Sequence, residues 1–502
     1  MTERLTAADS WFLYLETPTV HLHVTGLVVL DPATAPDGLT FRRLRDEVAT
    51  RLHRLPSLQR RLVEVPLGID HPTMVEDPDF DLDHHLTHHV LERGDHRELA
   101  EFVGAACSEQ LDRTRPLWRM AYVEGLADGR TALVTTLHHA LVDGVSGVGF
   151  MAELLDVRPD APPPPPPQVP WQPERVPPPP VAAAEAAHHR LVTPLRPLRA
   201  VARTGRSLLG TTVAALRARA AGTAAAGPFD APRTPLNATL TPRRTVEFGT
   251  TPLSGAKAVR SAFGVTVNDV VLAACTAGLR RFLLRQGVEP TRPLTCSVPV
   301  SVHGRTSAGR RTAPVNQLSN MFVHLPVHLE DPVEQLLAVA RSAAGAKAVQ
   351  DAMSPEMIGD VVDLIPPPLF HFGAELWSRA RLADRLPPVH NLIISNVRGS
   401  PVPLYLAGAR VAGLFPFGPL MEGTGLNVTV ISHEADLDVG FIACPDLVPD
   451  LGTLMADVLD GFDTLRRRAD PGRPGRCATR GRASGRSPSP ARAPRVRQRE
   501  TP

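Results

Sequence analysis

The sequence is poor in the signals that usually assign a chain quickly. Its 502 residues include only five cysteines, Cys107, Cys275, Cys296, Cys444 and Cys477, odd in number and without a C-x-x-C pair. That excludes a disulfide frame or a cysteine zinc site and points to reduced thiols in a cytosolic protein. No H-E-x-x-H pattern offers a helical metal site, and no G-x-S-x-G elbow offers a hydrolytic serine. The N-terminus, MTERLTAADS, has no apolar signal core, and no uninterrupted apolar run reaches the length of a membrane span. A protein that is soluble, or that lies on a membrane without crossing it, is expected. The tail from Pro471 to Pro502 holds nine arginines, a single acid (Glu500) and no aromatic residue. A disordered, solvated extension is expected there, not a nucleic-acid arm, because nothing is interleaved for base stacking. Its +8 also hides an acidic remainder, near −6, beneath the formal net charge of +2.

What is present suggests two domains and a linker, since the chain is too long for one core. The first segment, 1–157, mixes strand-like runs (HLHVTGLVVLD, TALVTTLHH) with helices. One helix is expected over Phe41–Leu52, with Phe41, Leu44, Val48 and Leu52 on one face. Another is expected from Asp95 to about Leu111, opened by an Asp95/Glu98 variant of the capping box. Segment 158–235 starts with the polyproline stretch APPPPPPQVPWQPERVPPPP, a semi-rigid spacer. It continues as an amphipathic helix with Leu198, Val201, Leu208, Leu209, Val213 and Leu216 on one side and Arg196, Arg199, Arg203, Arg206 and Arg217 on the other. Such a helix suits a crossover between domains, an anionic membrane surface, or both. Segment 236–468 contains a long helix capped by Thr266 and Asp269 and stopped at Gly287, with strands at NLIISNV and GLNVTVISH. The tail, 469–502, completes the chain. This mixture of strand and helix implies an α/β or α+β sandwich.

The stretch TALVTTLHHALVDGVSG, Thr131–Gly147, carries the chemistry. Adjacent side chains of a strand point to opposite faces, so one of His138 and His139 packs inward while the other faces a cleft. The Asp143–Gly144 turn places that imidazole at a strand end. With metal and serine patterns missing, a lone histidine general base remains, acting on an acceptor hydroxyl, amine or thiol. A purely structural histidine is the competing reading, and HHLTHH at 84–89, with no Asp-Gly after it, is read that way, as surface or packing. Asn268 falls in the first turn of the capped helix, where N–H groups and the dipole favour negative charge. It either caps the helix or helps hold an oxyanion.

HHALVDG has the H-H-x-x-x-D-G form of the chloramphenicol-acetyltransferase-like superfamily. LTAADSWFLYLE, HPTMVEDPDFDLDHHL, RPLW at 115–118, VNDVVLA at 267–273, VPVSV at 298–302, SNVRGSPVPLYLAGARV and GLNVTVISH appear in order. Together they resemble the bacterial wax ester synthase/diacylglycerol acyltransferase family, over nearly everything except the proline spacer and the tail. The resemblance implies two chloramphenicol-acetyltransferase-like sandwich domains, mixed sheets flanked by helices, with the active site at the domain interface. It implies acyl transfer from long-chain acyl-CoA, a substrate and not a cofactor, to diacylglycerol, a fatty alcohol, or both, making triacylglycerol or wax ester. No metal and no covalent enzyme intermediate are required. His139 would be the general base, His138 and Asp143 would set the geometry, Asn268 would stabilise the oxyanion, and Asp269 would be structural. Asp143 would pair with an arginine, Arg60 or Arg61. Peripheral contact with the inner face of the cell membrane or with lipid droplets follows from insoluble substrates. The sequence departs from the family pattern at Arg398, where a proline is usual, at Val315, where a glycine is common, and at His433, where a tyrosine is common. These changes bear on substrate choice, not reaction type. The alternatives are another hydroxyl- or amine-acylating enzyme of the superfamily, or a lipid-surface protein that lost turnover. The intact His139, Asp143 and Asn268 argue against the latter.

Overall fold

The computed structural model describes residues 3–141, 147–168, 171, 173, 176–192, 226–301, 318–351 and 365–470. Asp143, the arginine-rich stretch from Arg196 to Arg217, Val315 and the tail beyond 470 lie outside the described residues. Fifteen described strands form three sheets. They are β1 (Glu3–Arg4), β2 (His23–Asp31), β3 (Arg60–Val63), β4 (Thr73–Glu76), β5 (Leu86–Val90), β6 (Trp118–Glu124), β7 (Thr131–His138), β8 (Thr245–Pro252), β9 (Leu294–Ser301), β10 (Leu318–Leu325), β11 (Leu392–Val397), β12 (Tyr405–Leu406), β13 (Ala409–Phe417), β14 (Leu426–His433) and β15 (Asp436–Ala443). One six-stranded sheet has the order β12-β13-β2-β7-β6-β5 and the other β10-β9-β11-β14-β15-β8; β1, β4 and β3 make a small third sheet. Both large sheets are mixed: β5 runs parallel to β6, and β11 parallel to β9 and β14.

The β-branched run in β7 is buried along its whole length because both faces of its sheet are covered. Leu133 and Leu137 pack into one apolar core with Val28 and Leu30 of β2. On the opposite face, Ala132 and Val134 join Leu27 and Val29 in a second core. That second core also takes Val246 and Phe248 of β8 and Ile442 of β15, so it is the seam between the two sheets. The third core, on the outer side of the second sheet, is closed by the helices Val267–Arg285, Pro332–Gln350 and Leu451–Ala469.

The expected helix starts hold, with adjustments. Phe41–Arg51 buries Leu44 and Val48, as its periodicity requires. The next helix is His96–Ser108, ending three residues earlier than expected. Asp95 caps it by accepting from the Glu98 N–H at 2.8 Å. The Glu98 carboxylate, however, reaches past Asp95 to the loop N–H groups of Glu92, Arg93 and Gly94, so the box is only half made. In Val267–Arg285 the Thr266/Asp269 box is complete, and Gly287 ends the helix at φ 72°.

Division of the chain at 157 and 236 does not divide the sheets. β12 and β13, from the second half, complete the first sheet, with β13 antiparallel to β2. The run ARVAGLFPF reads as a strand locally, but its partner is chosen by the open edge of β2, which no local pattern reveals. A register shift between Val411 and Gly413 leaves the Leu414 N–H pointing away from β2, and it donates to Asp438 Oδ2 of β15 at 2.9 Å. Asp438 is buried and also accepts from Thr250 Oγ1 at 2.7 Å. Opposite, Gly440 is obligatory: a Cβ there would stand 2.3 Å from the Pro416 oxygen.

Candidate active site

β7 ends at His138, and His139 begins a short 3-10 turn, His139–Leu141, so the two rings separate by a change of backbone conformation as well as by strand alternation. His138 is buried. Its N–H donates to the Leu117 oxygen at 2.9 Å, so the RPLW stretch clamps the strand end. Trp118 is the deeper anchor, fully buried and donating from Nε1 to the Leu58 oxygen at 2.7 Å. His139 donates its backbone N–H to the Leu22 oxygen at 3.0 Å, and its ring lies on Phe12 with centroids 3.9 Å apart and planes 15° from parallel.

The two imidazoles differ in what their nitrogens do. His138 Nδ1 accepts the Ala140 N–H at 3.1 Å, so in the neutral ring the proton sits on Nε2. That Nε2 lies 3.6 Å from Glu16 Oε2. His139 Nδ1 is buried and has no hydrogen-bond partner among the described residues. Burial, and then the neighbouring His138, push the His139 ring down to about 4, which keeps it neutral near pH 7.

Glu16 is a feature the sequence reading missed. It directly follows the helix Ala7–Leu15, is buried, and accepts from Arg113 Nε at 3.0 Å and Nη2 at 2.5 Å. Its other oxygen lies 3.6 Å from Nε2 of His23, which is also buried. Burial by itself raises a carboxyl pKa, but His138, His23 and Arg113 hold Glu16 well below the usual carboxylate range. His23 is pushed by burial down to about 4. Sequence signals existed: Glu16 interrupts the apolar run WFLYLETPTV, and His21 and His23 alternate along HLHV.

Glu16, His23 and His138 have metal-ligand spacing. The chemistry argues against an ion. His138 Nε2 carries a proton, and the Glu16 oxygen nearest to it already holds a guanidinium.

Asn268 is half-buried at the second position of its helix, after the Thr266 cap. Its Oδ1 accepts from Asn396 Nδ2 of β11 at 3.4 Å, which leaves both amide hydrogens unused by that contact. Asn396 was not singled out from the sequence, although it lies inside SNVRG. Val397, its neighbour, packs on the same core as Ala140 and Leu141, so both segments border the first core. Asp269 is buried in the capping box, a structural place. Arg61 lies 3.6 Å from Asp77, and Arg60 sits beside it on β3. His433 is buried 3.6 Å from Asp438. In HHLTHH, His85 is buried with Nδ1 2.8 Å from the Trp118 oxygen, and His88 pairs with Glu124 at 2.6 Å, as packing and surface groups do.

A cleft of about 550 Å³ opens beside this network. Tyr14, Leu62, Arg113 and His371 line it, and so do Val176 and Pro177. The proline stretch is therefore partly a wall, with Trp171 edge-on to Phe80.

Two mixed sheets joined by an exchanged strand are an architecture found in solved condensation domains. The first condensation domain of the calcium-dependent antibiotic synthetase has this fold, at TM-score 0.54, 17% identity and coverage of 94% of this chain and 98% of that one. The chain belongs to the wax ester synthase/diacylglycerol acyltransferase family. Residues 5–271 match the wax ester synthase/diacylglycerol acyltransferase catalytic domain, and residues 315–466 match the WS/DGAT C-terminal domain. It is 37% identical over 462 residues to a putative diacylglycerol O-acyltransferase of Mycobacterium tuberculosis, covering 92% of this chain and 88% of the relative. A Mycobacterium bovis protein with the same description is 31% identical over 461 residues, at 91% and 98% coverage. The wax ester synthase/diacylglycerol acyltransferase of Marinobacter aquaeolei VT8 matches at TM-score 0.65 and 28% identity, over 93% of this chain and 99% of that one. The chain is an acyltransferase.

Proposed function

We propose that this acyltransferase moves a long acyl chain from acyl-CoA to the hydroxyl of diacylglycerol, of a fatty alcohol, or of both, with His139 as general base. The observation that carries the reading is the inequality of the two histidines. His138 is buried, its Nδ1 accepts the Ala140 N–H and its Nε2 only faces the Glu16 carboxylate from 3.6 Å, whereas His139 is less buried, its Nδ1 has no described partner and its ring is held neutral. His139 takes the acceptor hydroxyl proton as the oxygen attacks the thioester carbonyl. The carbon–sulfur bond then breaks, and the proton passes to the departing CoA sulfur. The amide hydrogens of Asn268 hold the oxyanion between these steps, an effect worth about 3 kcal/mol. Asp143, outside the described residues, takes its geometric role in this reading from the H-H-x-x-x-D-G motif alone. Neither a metal nor a covalent enzyme intermediate enters.

Contact with a membrane or lipid-droplet surface belongs to this reading, on the cytoplasmic side, because both acceptors are insoluble. No single described helix is long and apolar enough to cross a membrane. An exposed row, Leu369, Phe372 and Leu376, runs along the helix Pro367–Arg379 beside the cleft, and Leu67 stands 88% exposed next to it. These residues supplement the Arg196–Arg217 stretch as lipid-facing candidates.

The experiment is release of free CoA thiol from palmitoyl-CoA, run in parallel with diacylglycerol, hexadecanol and a long-chain amine. Turnover with either hydroxyl acceptor and none with the amine is expected. Turnover with the amine alone overturns the reading.

A further inference from the structure

We propose that Glu16 is a positioning residue for the transfer, a buried carboxylate that keeps the proton of His138 on Nε2 and thereby holds the turn that presents His139. Its consequence for turnover rests on His139 being the base; the geometry does not.

The Ala140 N–H points at His138 Nδ1 from 3.1 Å, and Ala140 is the second residue of the His139–Leu141 turn. That contact exists only while Nδ1 is bare. A neutral imidazole has one proton, so Nε2 must carry it. With the proton on Nδ1 instead, two N–H groups would face each other and the turn would open. Among the described residues the negative group nearest to Nε2 is the Glu16 carboxylate, 3.6 Å away, beyond hydrogen-bond length but within strong electrostatic reach in a buried site. Among the described residues Nε2 has no hydrogen-bond partner that would substitute for it.

Glu16 is itself built in. Arg113 binds it through two nitrogens and anchors its own Nη2 on the Leu13 oxygen at 2.9 Å. His23 faces the other carboxylate oxygen from β2, across the strand pair from His138. Glu64 reaches Arg113 from outside at 3.5 Å, and His21 stands beside His23. Burying a carboxylate is costly, and an apolar or amide side chain of the same volume would fill this space without that cost. A charge kept here against that cost points to a task. Orienting His138 is the task its position allows, as second partners orient the histidines of other catalytic sites.

The test uses Glu16→Gln, which keeps the shape and removes the charge, and His138→Asn, whose Oδ1 can still accept from Ala140. In Glu16→Gln, kcat falls about 10–100-fold, as a small misplacement of a reacting group does, while KM for acyl-CoA changes little. Glu16→Asp recovers part of the loss. In the His138→Asn background, Glu16→Gln adds no further loss, because both act through one ring. Independently of activity, 15N NMR of ring-labelled histidine, with the His138 signal identified by its loss in His138→Asn, shows the Nε2–H form in the native chain and a shift toward Nδ1–H in Glu16→Gln. Unchanged kcat in Glu16→Gln, losses that multiply in the double variant, or an unmoved His138 signal each overturn the proposal. Should Glu16→Gln fail to fold, Glu16→Ala, which also removes the charge, carries the same kinetic cycle and the same NMR comparison. Retained turnover in His139→Ala would instead overturn the base assignment, with the NMR result still deciding on Glu16.

Discussion

The two halves of the molecule bury different things. Among the described residues, ten aspartate, glutamate, histidine and arginine side chains are buried before residue 158, His21, His23, His138 and Glu16 among them, against four after residue 226. The second half instead surrounds its sheet with hydrocarbon. Val270, Val271, Leu279, Phe282, Val323, Leu336 and Phe441 are all essentially inaccessible. A protein interior tolerates buried charge only when it is paired or put to use, so on the proposed mechanism the first half is the working half and the second is a stiff support. What that mechanism asks of the support lies at its edges: the start of a capped helix at Asn268, which touches Asn396 at the end of β11.

Four substitutions break or sharpen this contrast. The largest effect belongs to His139→Ala, which lowers kcat/KM by about 10²–10⁴-fold, the usual worth of a general base. Its melting temperature stays near that of the native chain. In the native enzyme the acid limb of kcat/KM falls near pH 4, not near the 6.5 of a free imidazole, since burial keeps the ring neutral down to there. A steady-state pH profile checks both statements; an acid limb at 6.5 would show an exposed base.

Asn268→Ala comes next. Loss of an oxyanion donor costs about 10²–10³-fold in kcat. Because Thr266 and Asp269 still cap the helix, denaturant unfolding changes little. A large stability loss with kcat retained would make Asn268 part of the scaffold.

The third is a pH effect on folding. His23 titrates near 4 in the folded protein and near 6.5 when unfolded. Between those values the unfolded chain binds the extra proton, so stability is present above about 6.5 and is lost as pH falls toward 4. The shift corresponds to roughly 3 kcal/mol over that window. His23→Leu flattens the dependence of the melting temperature on pH across it; an equal slope in the variant would remove His23 from the account.

The smallest effect tests the exchanged strand. Asp438→Ala orphans the buried Leu414 N–H, for about 1–3 kcal/mol of destabilisation. Chemical denaturation would show it, with kcat per folded molecule unchanged. If kcat collapses with stability intact, Asp438 belongs to the working half after all.

Much of the fold was legible in the sequence, for physical reasons that are local. Thr266, Asp269 and Gly287 mark one helix because capping involves neighbours within four residues. The alternation and β-branching of TALVTTLH mark a strand, and HHALVDG marks where the proposed chemistry is put. What escaped is what depends on distance along the chain. Glu16, Arg113, His23 and His138 come from four separate stretches, and no spacing brings them together before the fold does. The same holds for Asn268 with Asn396, and for β13 crossing into the other sheet. The capping box at Asp95 was half right because Glu98 satisfies the preceding loop, a competition that spacing does not show.

The exchange of β13 also orders events in time. Gly26 of β2 pairs with Pro416, about 390 residues later. At a synthesis rate of about 5–20 residues per second, on the order of 20–80 s separate the two partners as they leave the ribosome. Throughout that interval the edge of β2 is bare, and the His139 turn hangs on a sheet that is not yet complete. The first sheet is therefore complete only after the second half has been made, and a nascent chain arrested before residue 409 presents an open edge to its neighbours. In the finished protein that edge is closed by nearly the last strand to be made.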